Sequence, residues 1–194
     1  MTMPTVVLAS KSPRRKQLLE MLGIPITVQP ADVQEIPLPR EEPEAYARRL
    51  ARDKARAVPG SVVLGADTIV VLDGEILEKP ADAEGAVAML GRLQGRSHKV
   101  ISAICLISGG IERQAADRTM VTMRPADEAL LRDYVATGEP LDKAGSYGIQ
   151  GPGAALIERV EGDFFGVMGL PIRLVLQLLG EAGFSYRFGQ GPTP

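Results

Sequence analysis

The strongest constraint on the fold is a long apolar segment, residues 61–72, that contains one acidic side chain, Asp67. Successive side chains of a β-strand point to opposite faces of its sheet. Apolar residues occupy both of these faces here, which predicts a strand that is buried on both sides. The segment therefore predicts a strand in the interior of a layered fold, and it places a carboxylate where carboxylates are rare.

Helix-like and strand-like patterns are interleaved along the rest of the chain. Helices are predicted over 13–22, 43–58, 83–93, 125–137 and 171–182. Strands are predicted over 5–9, 25–30, 61–72, 97–108, 111–123, 154–160 and 164–168. Two tight hairpin signals, at 73–74 and 109–110, add antiparallel pairs. We predict an α/β fold with a long mixed β-sheet flanked by helices. We expect one domain, 1–194, with a tail over 184–194 that frays.

Charge and cysteine content exclude several classes of protein. The net charge of −2 and the pI of about 5.6 argue against binding a nucleic acid polymer, which usually needs a basic surface. A single cysteine, Cys105, rules out an internal disulfide and favours a reducing compartment. We see no signal peptide and no apolar run of membrane-spanning length, so we expect a cytoplasmic protein without a membrane partner.

Asp67 is the first candidate for chemistry. A buried carboxylate is costly unless it is paired with a cation or coordinates a metal. A structural salt bridge is one interpretation, and a general base or metal ligand is the other. Gly65, two residues earlier, leaves room for another group to approach the backbone.

Cations cluster at two further places. Arg14, Arg15 and Lys16 follow Ser12 at the predicted start of a helix, where each cation costs roughly 0.3–1 kcal/mol. A bound polyanion would relieve this repulsion, although a solvated basic surface is the alternative. Lys54 lies on the inward stripe of its predicted helix, so its ammonium either reaches the site of Asp67 or extends past the core to solvent.

The remaining candidates are weaker when each is taken alone. Lys79 follows the hairpin after Asp67, and a surface lysine is the default interpretation there. Gln150 lies in a glycine-rich segment, 143–153, which is either a ligand-binding loop or a plain structural turn. Few zinc ligands are present, whereas Asp67, Asp32 and Glu35 offer oxygen atoms that suit Mg²⁺ or Mn²⁺. Taken alone, Asp32 and Glu35 are equally well interpreted as solvated acids of a loop.

As an ordered set, these segments resemble the Maf family of nucleotide pyrophosphatases. The resemblance rests on Leu8-Ala9-Ser10, Ser12-Pro13-Arg14-Arg15, Gly65-Ala66-Asp67-Thr68, Lys79-Pro80, Tyr147-Gly148-Ile149-Gln150-Gly151, Gly162-Asp163 and Gly169-Leu170-Pro171. It implies a fold similar to inosine triphosphate pyrophosphatases, with two lobes and a central cleft. It also implies metal-dependent hydrolysis of a nucleoside triphosphate to the monophosphate and pyrophosphate, and a homodimer.

The resemblance also implies a role for each candidate residue. Asp67 matches the family's proton acceptor, and Glu35 falls in a segment like its acidic, metal-binding loop, with Gln34 replacing a common acid. The positions that match its phosphate-handling residues are Ser12, Arg14, Arg15, Lys54 and Lys79.

Three residues, Arg14, Thr68 and Gln150, resemble the branch of the family that cleaves dTTP and UTP. The resemblance to this branch implies that the protein removes non-standard or excess pyrimidine nucleotides. Two other functions stay open at this point. One is a nucleotide-binding regulator of cell division that does not need to cut its ligand. The other is a general phosphatase, which would leave a diphosphate and orthophosphate.

Overall fold

The computed structural model describes residues 3–188, which form a mixed α/β fold with a seven-stranded sheet flanked by helices. The strands are β1 Val6–Ala9, β2 Ile26–Val28, β3 Val62–Leu72, β4 Glu75–Leu77, β5 Ser97–Ser108, β6 Ile111–Met123 and β7 Ile157–Glu161. The helices are α1 Pro13–Met21, α2 Pro43–Arg56, α3 Ala83–Leu93, α4 Glu128–Ala136, α5 Phe164–Met168 and α6 Ile172–Glu181. The α/β class predicted from the sequence is confirmed.

The sheet combines parallel and antiparallel pairs. Its strand order is β2-β1-β3-β5-β6-β7, with β4 paired to β3. Strand β1 runs parallel to β2 and β3, whereas β4 is antiparallel to β3 and β7 is antiparallel to β6. This confirms the predicted mixed sheet. Strand β3 is buried at every position except Thr68, as the apolar run over 61–72 predicted.

The chain divides into two compact units. Unit 1 comprises Met1–Asp67, Ser102–Asp117 and Gly169–Pro194, and unit 2 comprises Thr68–Ile101 and Arg118–Met168. The resemblance led us to expect two lobes, and the division into two units agrees with that expectation. The predicted cleft between the lobes and the predicted single domain over 1–194 stay predictions.

Local signals in the sequence determine where several elements begin and end. Asp73 and Gly74, between β3 and β4, have φ angles of 52° and 85°, the left-handed conformation that a two-residue hairpin requires. Asp82 caps α3 by accepting a hydrogen bond from the Gly85 N–H at 2.7 Å, as predicted. Asp127 caps α4 in the same way, so this helix begins at Glu128 rather than at residue 125.

One predicted strand was wrong. Residues 164–168 form helix α5, although phenylalanine and valine favour strands. The Asp163 carboxylate accepts a hydrogen bond from the Gly166 N–H at 3.0 Å. This contact satisfies a backbone donor in the first turn, and such a cap stabilises a helix by about 1 kcal/mol. The local cap therefore outweighs the intrinsic preference of the side chains.

The glycine-rich segment lacks a long helix or strand, as predicted. Three short 3₁₀ turns lie within or next to this segment, Glu139–Asp142, Ala144–Ser146 and Pro152–Leu156. The last of these turns includes the residues that were predicted to begin the following strand, so β7 begins at Ile157 and not at residue 154.

The described part of the chain contains no helix that is long and apolar enough to cross a membrane. In the tail, residues 184–188 form no helix or strand, but the Tyr186 hydroxyl donates a hydrogen bond to the Leu22 carbonyl at 3.0 Å. The remainder of the predicted frayed tail, 189–194, lies outside the described residues.

Candidate active site

A buried lysine joins two acidic side chains in unit 1. The Lys54 ammonium lies 2.7 Å from Asp67 Oδ1 and 2.6 Å from Glu35 Oε1. Lys54 is 8% exposed and Asp67 is 5% exposed, whereas Glu35 lies in an exposed loop. Of the two interpretations of Lys54, the inward one is therefore observed. The structure brings together the candidate base and the candidate metal ligand around one cation.

Helix α2 supplies Lys54 because its apolar stripe faces the sheet. Ala47, Leu50 and Ala51 are buried on the same face as Lys54, at the spacing expected for a helix. The lysine occupies the position where this stripe passes over β3. Its ammonium is paired with the buried Asp67 and with the exposed Glu35.

Gly65 allows the helix to approach so closely. A β-carbon at this position would lie 2.1 Å from the Ala51 carbonyl oxygen and 2.6 Å from the Ala55 nitrogen. Both are backbone atoms of α2 and cannot rotate away. The sequence suggested that Gly65 leaves room for an approaching group, and in the structure that group is α2. The glycine thus sets the distance between the lysine and the acid.

The two oxygens of Asp67 have different surroundings. Oδ1 accepts a hydrogen bond from Lys54, whereas Oδ2 is buried and has no hydrogen-bond partner among the described residues. An unsatisfied buried acceptor costs about 1–3 kcal/mol, and more when it is charged. Such an atom is typical of a site that awaits a ligand, a proton or a metal.

The start of helix α1 contributes a second cation. Ser12 is the N-cap and Pro13 begins the helix, as predicted, but the Ser12 side chain makes no capping hydrogen bond. Arg15 is buried and turns inward. Its Nε donates to the Gly169 carbonyl at 2.8 Å, and its Nη1 donates to the Ala66 carbonyl at 2.9 Å. Arg15 therefore contacts the backbone of β3 next to Asp67.

The pKa of Arg15 is affected by the charged groups around it. Burial lowers the pKa of Arg15 from its ordinary value, and the negative charges of Asp67 and Glu35 oppose that shift. The neighbouring cation Arg14 lowers the Arg15 pKa further. One cation and two acids of unit 1 thus influence the pKa of the Arg15 guanidinium.

The other predicted site residues lie in unit 2 or at the surface. Thr68 follows Asp67 along β3 and is half-buried, whereas Lys79 and Gln150 are exposed. Lys79 lies after β4, and Gln150 lies in the glycine-rich segment. The proximity of Lys79 and Gln150 to the acids of unit 1 stays a prediction.

The glycine-rich segment is held by side chains that the sequence analysis did not identify. The Gly148 N–H donates to the Tyr134 hydroxyl at 3.1 Å, and the Gly153 N–H donates to Glu139 Oε2 at 2.9 Å. Tyr147 in turn lies 2.7 Å from His98, measured from its hydroxyl to Nε2. No spacing rule connects these residues, because their contacts depend on the tertiary fold.

Within residues 3–188, no group of three or more His, Cys, Asp or Glu side chains is arranged to hold a metal ion. A metal cage made only of protein ligands is therefore absent from the described residues. Magnesium is usually bound by one or two carboxylates, together with water and substrate phosphates. Asp67 and Glu35 fit that pattern, since Asp67 Oδ2 is an unpartnered buried oxygen.

Comparisons with known proteins show which proteins this chain is similar to. The chain matches the family model described as "Maf-like protein" over residues 5–182. It is 48% identical to the dTTP/UTP pyrophosphatase of Symbiobacterium thermophilum, over 94% of this chain and 96% of that protein. It is 46% identical to the dTTP/UTP pyrophosphatase of Koribacter versatilis, over 92% of this chain and 94% of that protein. Among solved structures it is similar to the Staphylococcus aureus Ham1 protein, with a TM-score of 0.47 and 16% identity over 79% of this chain and 80% of that chain.

Proposed function

This chain belongs to the Maf-like protein family, and we propose that it hydrolyses dTTP, UTP and related pyrimidine nucleotides to the monophosphate and pyrophosphate. The observation that carries the proposal is the state of Asp67: one carboxylate oxygen is fixed by Lys54, and the other is buried without a partner among the described residues. The relatives named dTTP/UTP pyrophosphatase support the reaction and the substrate class.

Asp67 accepts a proton in the proposed reaction. A carboxylate with one oxygen fixed by a cation keeps its second oxygen in a defined direction. Oδ2 is therefore the atom that removes a proton from the attacking water, and water attacks the α-phosphorus in line with the leaving pyrophosphate. Lys54 keeps Asp67 oriented while this occurs.

Glu35 and Asp67 are the residues that would hold a divalent ion. Such an ion supplies positive charge against the phosphate oxygens when it is bound. Because Lys54 already contacts one oxygen of each acid, it keeps both carboxylates at the same place in unit 1. We propose Mg²⁺ or Mn²⁺, which prefer oxygen ligands.

Cations neutralise the triphosphate in this proposal. Ser12 and Arg14 lie at the N-terminus of α1, where the positive end of the helix dipole favours an anion. Lys79 is assigned to the phosphates by resemblance alone. Arg15 was assigned to them as well, and its hydrogen bonds to the carbonyls of Ala66 and Gly169 support an added role in holding β3.

We propose that Thr68 and Gln150 select the base. The exposed amide of Gln150 can donate one hydrogen bond and accept another. The edge of uracil or thymine presents both an N–H and carbonyl oxygens, so one amide can recognise it. A pyrimidine substrate is also what the names of the relatives describe.

Product analysis tests the proposed reaction. The protein is incubated with Mg²⁺ and a panel of nucleoside triphosphates, and the products are separated by chromatography. We expect UMP and pyrophosphate from UTP. UDP and orthophosphate would instead identify a general phosphatase, and binding without any cleavage would favour the nucleotide-binding regulator.

A substitution tests the role of Asp67. Replacing it by asparagine should lower kcat by at least about 100-fold, since a general base contributes roughly that much or more. Asp133→Asn is the matched control, because Asp133 is an exposed acid on α4, and it should keep full activity. If folded Asp67→Asn protein retained near-normal turnover, Asp67 would have no part in the reaction.

Two further assignments belong to this proposal. The family resemblance supports a homodimer, which light scattering coupled to size-exclusion chromatography would detect as twice the mass of 20.7 kDa. The nucleotide substrate and the single buried Cys105 favour a cytoplasmic location. Fractionation of cells that express the protein would test it.

A further inference from the structure

Two side chains from outside the loop that contains Gln150 accept hydrogen bonds from the backbone at its two ends. Tyr134 of α4 accepts a hydrogen bond from the Gly148 N–H, and Glu139 accepts one from the Gly153 N–H. Gln150 lies between these two anchored glycines, and its side chain is exposed. We refer to residues 148–153 as the glutamine loop.

The glutamine loop closes around the Glu139 carboxylate. A β-carbon at Gly151 would lie 2.6 Å from Glu139 Oε1, and a β-carbon at Gly148 would lie 3.1 Å from the same atom. Gly151 also has a φ of +90°, a conformation that glycine adopts at no steric cost. These glycines therefore leave the space that the carboxylate fills. The acid occupies the inside of the turn, so it determines the shape of the turn.

Tyr134 and Glu139 act as one unit. Tyr134 is 6% exposed, and its hydroxyl accepts from the Gly148 N–H while the Glu139 carboxylate accepts from the Gly153 N–H. Burial raises the pKa of Tyr134, and the neighbouring Glu139 raises it further, so the phenol keeps its proton at neutral pH. Both hydrogen bonds of this pair hold the loop in a single conformation.

We propose that Glu139, together with Tyr134, is a positioning residue for base selection, which holds the glutamine loop so that the Gln150 amide faces the pyrimidine. This inference rests on the proposed function. It adds a residue that contacts neither the phosphates nor the reacting water. Its effect on the reaction passes through Gln150, because the carboxylate fixes the backbone on the C-terminal side of that residue.

The substitution Glu139→Gln keeps the size of the side chain but leaves one acceptor oxygen where there were two. The neutral amide accepts from the Gly153 N–H more weakly than the carboxylate does, and it places an NH2 group beside the loop in place of the second oxygen. The hold on the loop is therefore weakened, and Gln150 is no longer held in one orientation. We expect the preference for UTP over CTP to fall about tenfold, through KM rather than kcat.

The test is a double-mutant cycle between Glu139→Gln and Gln150→Ala, with kcat and KM measured for UTP and CTP. In the Gln150→Ala background, Glu139→Gln should cause no further loss of preference, since both changes remove the same contact with the base. Glu158→Gln, at an exposed position of β7, is the matched control and should leave both constants unchanged. Unchanged preference in folded Glu139→Gln protein, or losses that add in the double variant, would overturn the inference.

A second variant and a binding assay keep the two proposals separate. If Glu139→Gln does not fold, Tyr134→Phe keeps the aromatic ring, removes the acceptor for Gly148 and should lower the preference in the same way. Calorimetric titration with non-hydrolysable UTP and CTP analogues measures the preference without turnover. If the wild-type protein hydrolyses UTP and the variants keep its preference for UTP over CTP, the role of Glu139 is refuted and the proposed function stands. A wild-type protein that neither binds nor cleaves these nucleotides refutes both proposals.

Discussion

Replacing Gly65 by alanine should push helix α2 away from strand β3 and separate Lys54 from Asp67. The added β-carbon would lie 2.1 Å from the Ala51 carbonyl oxygen, whereas an ordinary contact lies at 3.4–4 Å. The atoms in conflict belong to the backbone of the helix, so no side chain can rotate to relieve the overlap. The helix must move by roughly 1 Å or more, because a packed interior leaves no other space.

The size of the effect follows from this displacement. Overpacking of this kind costs about 1–3 kcal/mol of the free energy of unfolding. The hydrogen bond from Lys54 to Asp67, which is 2.7 Å long, would lengthen as the helix moves. A misplacement of about 1 Å at a catalytic group lowers activity by up to roughly 100-fold. We therefore expect Gly65→Ala to lose both stability and activity.

Urea unfolding and kcat/KM for UTP are the two measurements. The urea midpoint should fall by roughly 0.5–1 M. Gly91→Ala is the matched control: Gly91 lies in α3, and a β-carbon there meets nothing within 4 Å. This control should gain up to about 1 kcal/mol from helix propensity and keep its activity. A Gly65→Ala protein as stable and active as the wild type would refute the argument that the glycine sets the position of α2.

Three further predictions concern buried groups. Lys54→Met should lower the free energy of unfolding by about 3–5 kcal/mol, because it leaves the buried Asp67 unpaired. The double variant with Asp67→Asn should recover most of this stability, which urea unfolding measures. Burial lowers the pKa of His98 from 6.5 to about 4, so between these pH values the unfolded chain binds more protons than the folded protein. The free energy of unfolding should therefore fall by roughly 3 kcal/mol as the pH drops from 6.5 to 4. A His98→Phe variant should lose this part of the pH dependence, and an unchanged stability curve would contradict it. Burial raises the pKa of Cys105 to about 11, so a thiol reagent at pH 8 should modify Cys105 only after unfolding, and rapid labelling of the folded protein would contradict this.

Side-chain periodicity accounts for what could be predicted of the site. Alternation along β3 assigned Asp67 to a buried position, and the helical stripe of α2 assigned Lys54 to the inward face. Each assignment needs only the repeat of one element, so it can be derived from local sequence. That both side chains meet required the additional knowledge that α2 packs on β3, and only the family resemblance supplied a reason to expect it.

Contacts between distant segments account for what could not be predicted. Arg15 reaches Gly169 across 154 positions of the chain, and no local pattern indicates such a pair. Glu139 resembles an ordinary exposed acid at the end of a helix, yet its carboxylate fills the turn of the glutamine loop. The incorrect strand over 164–168 has a different cause, since the strand preference of its side chains favoured the wrong element and the neighbouring Asp163 was not considered as a helix cap.

The basic start of α1 shows how the structure changes the reasoning for anion binding. The sequence argument was that Arg14, Arg15 and Lys16 repel one another in the first turn of the helix and that a polyanion would relieve them. The protein itself relieves part of this repulsion, because Arg15 donates to carbonyl oxygens and Lys16 lies 3.5 Å from Glu20. Crowding of cations is therefore a weaker argument than it was. The stronger argument is the position of Ser12 and Arg14 at the N-terminus of the helix, where the positive end of the helix dipole favours a bound phosphate.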